Sequence, residues 1–418
     1  MAPPAAWFQE ARFGLFVHWG HYAQHGWEAS WPLVGGTPAL PLCPNVPVGA
    51  YHGSAQSFSP RRGAAREWLG LARRAGMRYA VLTAKHHDGF ALFATKHSDF
   101  CVANGPYRGD LVREFVDATR EAGLRVGLYF SLCDWHHPDY PAFSEADKPY
   151  GARGLPRPTP EQWRRYHEFL FGQIRELLTS YGTIDLLWFD GGWEHGRDEW
   201  RARELEELIR GLQPGIVLND RLPGVGDYAT PEQIVPAKPL AGAWESCLTM
   251  NESWGWVPHD TEYKSVRELV HTLCETASRG GNLLLNVSPL GDGSLPPEQV
   301  ERLEGITRSM ERCAESIVGT KPGLELWQFH GPSTRRGERI FLHLLARPYD
   351  EVVVRGIPVA RVRAVRQLAT GTDLEHRARV SALDRAIRNP DPVGELRIRV
   401  PEGLVDPIAT VIEFELSA

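Results

Sequence analysis

The stretch Tyr181-Gly-Thr-Ile-Asp-Leu-Leu-Trp-Phe-Asp190-Gly-Gly192 is the clearest guide to how this chain folds. Its centre, residues 184–190, is a short apolar run that ends on a polar residue, which is typical of a buried β-strand. Helical patterns precede it at 161–180 and follow it at 199–211, and Gly182 stands where a helix C-cap prefers glycine. A buried strand between two helices is the unit of a parallel sheet covered on both faces, so the stretch predicts an α/β fold.

The same unit recurs from residue 13 to about 320. Strand-like runs lie at residues 13–19, 79–84, 125–131, 184–190, 216–219, 243–247 and 283–287. The further helical patterns lie at 64–75, 111–122, 265–278 and 297–313. This number of strands, with no Gly-rich dinucleotide or phosphate loop after any of them, favours a closed barrel over an open doubly wound sheet. We predict a (β/α)8-like TIM barrel over residues 1–325, although an eighth strand is not evident.

The sequence pattern changes after about residue 325. Short β-rich runs lie at residues 339–345, 351–354, 362–368, 396–400 and 409–416. Gly, Pro and Asp turns separate them, and no helix-length pattern intervenes. We therefore predict a small C-terminal antiparallel β-sandwich over residues 326–418, with the boundary near Lys321-Pro-Gly-Leu.

Composition excludes several classes of partner. The net charge is −6 and no basic run occurs, which argues against nucleic acid and against an anionic membrane surface. The apolar runs are far shorter than the ~20 residues that a membrane span needs. The six cysteines form no C-x-x-C pair and are expected to be free thiols. Without a secretory signal pattern at the first residues, the expected location is cytoplasmic, or secreted only if a signal peptide has been removed.

The predicted strand ends carry an unusual set of polar and aromatic residues, and in such barrels the active site lies at these ends. They include His18, His86, His87, Tyr129, Trp188, Asp190 and Arg221. Aromatic faces beside imidazole and charged groups suit a sugar, which has apolar C–H faces and a rim of hydroxyls.

Glycoside hydrolysis needs two carboxyl groups, one ionised and one protonated. Asp190 is the candidate nucleophile, because it ends an apolar strand and is followed by Gly-Gly; the alternative is an aspartate that merely caps the next loop. Glu232, in a loop after the fifth strand, and Glu245, in or near the sixth, are both candidates for the partner carboxyl, and the pattern alone barely separates them.

The paired histidines raise the alternative of a metal centre. Neighbouring residues on a strand point to opposite faces, so we expect that His86 and His87 do not both reach one ion. The H-x-H spacing that would aim two imidazoles inward is absent from the chain. We therefore do not expect a catalytic metal.

An ordered set of motifs resembles the α-L-fucosidases of glycoside hydrolase family 29. They are Arg12-Phe-Gly-Leu-Phe-Val-His-Trp-Gly20, Lys85-His-His-Asp-Gly-Phe90, Leu128-Tyr-Phe-Ser131, Trp188-Phe-Asp-Gly-Gly192, Asn219-Asp-Arg221, Trp244-Glu-Ser-Cys247 and Arg279-Gly-Gly-Asn-Leu-Leu-Leu-Asn-Val-Ser-Pro289. Each motif is weak alone, but together they span about residues 7–325.

The resemblance implies a retaining exo-hydrolase that releases α-linked L-fucose through a covalent intermediate, without a cofactor. It implies Asp190 as nucleophile and favours Glu232 over Glu245 as acid/base, from its spacing to the pocket arginine. The residues implied to contact the sugar are His18, Trp31, His86, His87, Tyr129, Trp188 and Arg221. Many members carry Glu-Trp after the first strand, whereas this chain has Trp27-Glu-Ala-Ser-Trp31, so a role for Glu28 stays open.

Two other readings of the barrel remain open. One is a retaining glycosidase for a related sugar, such as an α-L-galactoside, and the other is a non-catalytic carbohydrate-binding barrel. The presence of Asp190 together with two candidate acids favours an enzyme. The expected partner is a fucosylated oligosaccharide or glycoconjugate, and the sequence indicates no oligomeric state.

Overall fold

A computed structural model describes residues 6–36, 43–152, 154 and 156–417. Its N-terminal part is a parallel sheet whose strands are buried along nearly their whole length. The strands are β1 (Phe13–Val17), β2 (Tyr79–Lys85), β3 (Arg125–Ser131), β4 (Leu186–Asp190), β5 (Val217–Leu218), β6 (Glu245–Leu248) and β7 (Asn282–Val287). They lie in the order β5-β4-β3-β2-β1-β7-β6 and every pairing is parallel. The sheet is curled, which matches the predicted barrel.

An irregular segment between β5 and β6 bridges the two ends of this curled sheet. Its isolated parallel bridges are Asn219 to Tyr228, Ala229 to Trp244 and Glu232 to Cys247. Pro231 in its middle has no N–H group to donate, so the segment cannot form a continuous ladder. This segment takes the place of the eighth strand, and it carries Glu232 to the carboxyl end of the barrel.

Three of the long helices begin at residues that the capping rules favour. Asp110, Thr159 and Ser265 each accept a hydrogen bond from the backbone N–H three residues later, and the latter two form full capping boxes. The helices are α1 (Ala6–Ala11), α2 (Val48–Gly53), α3 (Ala64–Arg74), α4 (Leu111–Glu121), α5 (Pro160–Ser180), α6 (Ala202–Leu212), α7 (Val266–Ser278), α8 (Pro297–Cys313) and α9 (Ala382–Ile387). Within the described ranges, none is long and apolar enough to cross a membrane.

The C-terminal part consists of antiparallel strands in two sheets. One sheet has the order β13-β12-β16-β10-β9-β8 and the other β11-β15-β14. The strands are β8 (Lys321–Pro322), β9 (Ser333–Arg336), β10 (Arg339–Leu344), β11 (Glu351–Pro358), β12 (Val362–Gln367), β13 (Thr372–Asp373), β14 (His376–Arg379), β15 (Val393–Arg399) and β16 (Thr410–Leu416). Leu342 and Phe414 from the first sheet share one apolar core with Val354 and Ile398 from the second. The predicted β-sandwich is thus confirmed, with the short helix α9 inserted where no helix was expected.

Candidate active site

A cavity of about 270 Å³ opens at the carboxyl ends of the barrel strands. Among the described residues it is lined by Phe16, His18, Trp31, His86, His87, Tyr129, Trp188, Asp190, Trp193, Arg221, Glu232, Cys247 and Trp254. All the predicted site residues except Glu245 therefore meet around one space. The cavity is large enough to hold a small ligand, and its lining mixes aromatic rings with charged groups.

Asp190 is the last residue of β4, and its carboxylate faces the cavity. The Tyr129 hydroxyl donates to its Oδ2 at 3.0 Å, and Arg221 Nη1 donates to its Oδ1 at 3.1 Å. The chain turns at once through Gly191, which has a φ of +74°. A Cβ at that position would lie 2.7 Å from Cys133 Sγ, so glycine is required there both for the turn and for space. This turn leaves the Asp190 carboxylate at the rim.

Arg221 joins the two candidate catalytic carboxylates. Its Nη2 donates to Glu232 Oε2 at 2.7 Å, while Nη1 holds Asp190, and its guanidinium lies 4.8 Å above the ring of Trp188. Burial lowers the pKa of Arg221, but the neighbouring acidic groups, Asp190 first among them and Glu232 with it, together outweigh this, and the pKa lies above its usual value. A permanent cation between Asp190 and Glu232 reduces the repulsion of two acids that face the same small space.

His18 presents a hydrogen-bond acceptor to the cavity. Asn286 Nδ2 donates to the Trp254 carbonyl at 2.8 Å, so its Oδ1 faces His18 and accepts from His18 Nδ1 at 2.7 Å. Burial lowers the pKa of His18 to about 4, which keeps the ring neutral at ordinary pH. With the proton on Nδ1, the Nε2 lone pair is left to accept a hydrogen bond from a hydroxyl of a ligand.

His86 and His87 both line the cavity, and the expectation that neighbouring histidines diverge is wrong here. Strand β2 ends at Lys85, so both lie beyond the regular strand and its alternation does not apply. His86 bonds the Ser30 hydroxyl, and His87 Nδ1 lies 2.7 Å from Ser131 Oγ. Burial lowers both pKa values, that of His87 to about 3. Two more neutral imidazoles therefore face the ligand space.

A metal-ligand arrangement is not found in the part of the chain that the structure describes. No group of three or more His, Cys, Asp or Glu side chains there is placed to hold an ion. The cavity histidines instead form hydrogen bonds with the neighbouring polar side chains of Asn286, Ser30 and Ser131.

Aromatic rings form the walls of the cavity. Tyr129 stacks on Trp188 with ring centroids 5.6 Å apart, and it also stacks on His86 with ring centroids 5.4 Å apart. Trp254 lies 4.9 Å from His18 and 5.9 Å from Phe16. Faces of this kind pack against the C–H groups of a sugar ring.

Glu245 lies beneath the cavity and does not line it. Its carboxylate accepts hydrogen bonds from the Tyr79 hydroxyl, from Trp188 Nε1 at 3.0 Å and from the Tyr228 hydroxyl at 3.4 Å. It is fully buried, and burial raises its pKa to about 7. These contacts make Glu245 a support for Trp188, the ring on which Arg221 rests.

Glu28 also stands outside the cavity lining. It is buried, and its two oxygens accept from the backbone N–H groups of Trp254 and Gly255 at 2.7 and 2.8 Å. Burial raises the pKa of Glu28 to about 8. Its contact with the site runs through the Trp254 loop, which Glu28 holds against His18.

Four lining residues were not among the predicted site residues: Phe16, Trp193, Cys247 and Trp254. The sequence did contain a signal for Trp193, which follows Asp190 by three positions at a strand end. Phe16 and Cys247 lie inside strand runs, where a residue facing the cavity looks like any other buried one.

Comparison with known proteins agrees with this geometry. A sequence model of the family described as Alpha-L-fucosidase matches residues 2–315. The chain belongs to the α-L-fucosidase family. This confirms the resemblance seen in the sequence motifs and makes the chain a glycoside hydrolase.

Relatives match over most of the chain. Human tissue alpha-L-fucosidase is 30% identical over 390 residues, which cover 85% of this chain and 79% of the human protein. The solved structure of alpha-L-fucosidase isoenzyme 1 from Paenibacillus thiaminolyticus is 35% identical, with a TM-score of 0.85 over 99% of this chain and 98% of that chain. A GH29 alpha-L-fucosidase from Bacteroides thetaiotaomicron is 25% identical, with a TM-score of 0.80 over 98% and 95% of the two chains. That structure is a trapped covalent intermediate in complex with 2-fluoro-fucosyl fluoride, obtained with a glutamate-to-glutamine mutant.

Proposed function

We propose that this chain releases α-linked L-fucose from fucosylated oligosaccharides or glycoconjugates in two displacements, with Asp190 as nucleophile and Glu232 as acid/base. The observation that carries the proposal is the bridge made by Arg221, which contacts both carboxylates at the edge of one cavity. The Bacteroides relative, captured as a covalent intermediate, supports a mechanism of this kind.

In the first displacement Asp190 attacks the anomeric carbon and the glycosidic bond breaks. Glu232, in its protonated form, gives its proton to the departing oxygen. The side chain of Glu232 is 40% exposed, whereas that of Asp190 is only 13% exposed. The acid therefore stands on the open side, from which a leaving group can depart, and the nucleophile stands on the enclosed side.

In the second displacement Glu232, now ionised, removes a proton from a water molecule. That water attacks the anomeric carbon, the bond to Asp190 breaks, and fucose leaves with its original configuration. Retaining enzymes place the two carboxyl groups about 5–5.5 Å apart. Asp190 and Glu232 both contact the guanidinium of Arg221, which is compatible with such a short distance between their carboxyl groups.

The neutral histidines would orient the sugar. Each neutral imidazole can accept a hydrogen bond from one hydroxyl or donate its N–H to another, so fixed ring positions recognise a fixed pattern of hydroxyls. Phe16 and Trp254 supply apolar faces beside His18. No cofactor enters either step.

The test uses an aryl α-L-fucoside and follows the first-formed sugar by NMR. We expect α-L-fucose as the first product, turnover that survives a metal chelator, and loss of turnover in Asp190→Asn. Formation of β-L-fucose would refute the double displacement. Faster turnover of the matching α-L-galactoside would favour the related-sugar reading, and no release from either glycoside would favour a binding protein.

We further propose that the reaction takes place in the cytoplasm. All six cysteines are free, and four of them are buried, which suits a reducing compartment. Fractionation of the source cells with an activity assay tests this proposal. Fucosidase activity should follow cytoplasmic markers, and activity found mainly in the medium or the cell envelope would refute it.

A further inference from the structure

Trp193 is an exposed aromatic residue at the mouth of the cavity. It is 47% exposed, and with Glu232 it is one of the two exposed residues in the described lining. Its ring meets His87 edge-to-face, with centroids 5.3 Å apart and an interplanar angle of 81°. One edge of the indole therefore borders the ligand space while much of the ring faces outward.

A chain of hydrogen bonds holds this ring in place. Trp193 Nε1 donates to the Tyr150 hydroxyl at 2.7 Å, and that hydroxyl donates to Glu194 Oε1 at 2.9 Å. Glu194 is 2% exposed and also accepts from Trp135 Nε1 at 3.2 Å. The Tyr150 backbone N–H is tied to the Val34 carbonyl at 2.8 Å. A half-exposed ring anchored to a buried carboxylate is pre-organised, so little freedom is lost when a ligand packs on it.

The chemistry of the cavity indicates what this ring meets. Glu232 must reach the oxygen of the leaving group, so the leaving group lies at the mouth, where both exposed residues stand. A leaving sugar has an apolar C–H face that packs on an indole ring. The fucose unit itself is surrounded by other rings deeper in the cavity, such as Tyr129 and Trp188.

We propose that Trp193 is the platform of a leaving-group subsite, which binds the apolar face of the sugar to which fucose is attached. Tyr150 and Glu194 are positioning residues for this platform. The inference rests on the proposed function and deepens it, because it assigns the side chain that binds the leaving sugar of the substrate and the two residues that position that side chain.

The experiment compares a substrate that has a leaving sugar with one that has none. For each variant, kcat/KM is measured with α-L-fucosyl fluoride and with the fastest of a set of α-L-fucosyl disaccharides that differ in linkage. The quantity of interest is the ratio of the disaccharide value to the fluoride value. In Trp193→Ala we expect this ratio to fall about tenfold, which is the scale of one good aromatic contact.

Two further variants keep the test informative. Tyr150→Phe removes the acceptor of the Trp193 N–H group without removing the ring, so the ratio should fall less, about threefold. Trp193→Phe retains an aromatic face and should restore most of the ratio. The matched control is Trp327→Ala, because Trp327 is 63% exposed but lies outside the cavity lining. It should change neither value.

The possible outcomes distinguish failure of the subsite proposal from failure of the proposed function. An equal fall on both substrates in Trp193→Ala, or no change on either, would overturn the subsite. Wild-type cleavage of the fluoride but of no disaccharide would overturn it as well. Absence of wild-type activity on the fluoride would instead overturn the proposed function.

Discussion

Replacing Glu232 and Glu245 separately by glutamine distinguishes the two candidate acids. Glu232 is exposed in the cavity and bonded to Arg221, whereas Glu245 is enclosed by three donors beneath the cavity floor. Only a residue that transfers a proton to the leaving oxygen should show an effect that depends on the leaving group. The two variants should therefore differ in the size of the loss of activity and also in whether that loss depends on the leaving group.

The loss expected in Glu232→Gln follows from its role. General acid–base catalysis contributes about 10²–10⁴-fold, so kcat/KM on a fucosyl disaccharide should fall by that factor. Fluoride departs without a proton, so the fall on α-L-fucosyl fluoride should be smaller by at least about tenfold. Added azide needs no general base to attack the intermediate and should raise the turnover of the variant.

The loss expected in Glu245→Gln is small and the same for both substrates. The amide oxygen can still accept from Trp188 and Tyr228, and the amide nitrogen can donate to the Tyr79 hydroxyl. Glu245→Ala removes all three acceptor contacts. Each buried donor left unpaired costs about 1–3 kcal/mol, so the free energy of unfolding should fall by at least about 3 kcal/mol.

The assay pairs kcat/KM on the two substrates with urea unfolding followed by tryptophan fluorescence. Glu207→Gln, at an exposed position of α6, is the control and should alter neither measurement. A leaving-group-dependent loss in Glu245→Gln together with a uniform loss in Glu232→Gln would reverse the assignment. Full stability of Glu245→Ala would refute its role as a support.

Three other predictions follow from the contacts. Tyr129→Phe removes the hydrogen bond to Asp190 Oδ2. Because hydrogen bonds to charged groups are worth about 1.5–3 kcal/mol, kcat on α-L-fucosyl fluoride should change by about tenfold or more. An unchanged kcat would contradict this prediction. Burial lowers the pKa of His18 to about 4, so between pH 4 and the ordinary value of 6.5 the unfolded chain binds the extra proton and the free energy of unfolding rises with pH. In urea unfolding, His18→Asn should reduce the rise in the free energy of unfolding between pH 4 and 6.5. An identical rise in the variant would refute the lowered pKa of His18. The Glu413 side chain is 3% exposed and forms ion pairs with two partly exposed arginines of the C-terminal sheet, Arg339 and Arg366. Glu413→Ala should therefore lower the free energy of unfolding by about 2 kcal/mol and leave kcat unchanged. An unchanged free energy of unfolding would contradict a stabilising role for these ion pairs.

The barrel could be predicted because its strands are buried on both faces. Strand β4 reads as an apolar run that ends on Asp190 and lies between two helical patterns, and β2, β3 and β7 likewise lie between helical patterns and are buried along nearly their whole length. The segment that bridges β5 and β6 could not be predicted, because it makes only isolated bridges around Pro231 and has no periodicity.

The site could be predicted as far as strand ends define it. Asp190 and His18 lie at or just beyond the ends of regular strands, and their place in the cavity follows from strand geometry. The choice between Glu232 and Glu245 depends on the path of the irregular segment, which turns one outward and leaves the other enclosed. His86 and His87 lie one and two residues past the end of β2, where side chains no longer alternate between the two faces of the sheet.

The identity of the nucleophile is tested most directly by trapping the intermediate. The enzyme is incubated with 2-fluoro-fucosyl fluoride, digested with a protease, and mapped by tandem mass spectrometry. We predict one 2-fluorofucosyl group per chain, bound as an ester to Asp190, and no label in Asp190→Asn. A label on any other side chain, or steady turnover of fucosides with no labelled peptide, would contradict a covalent mechanism through Asp190.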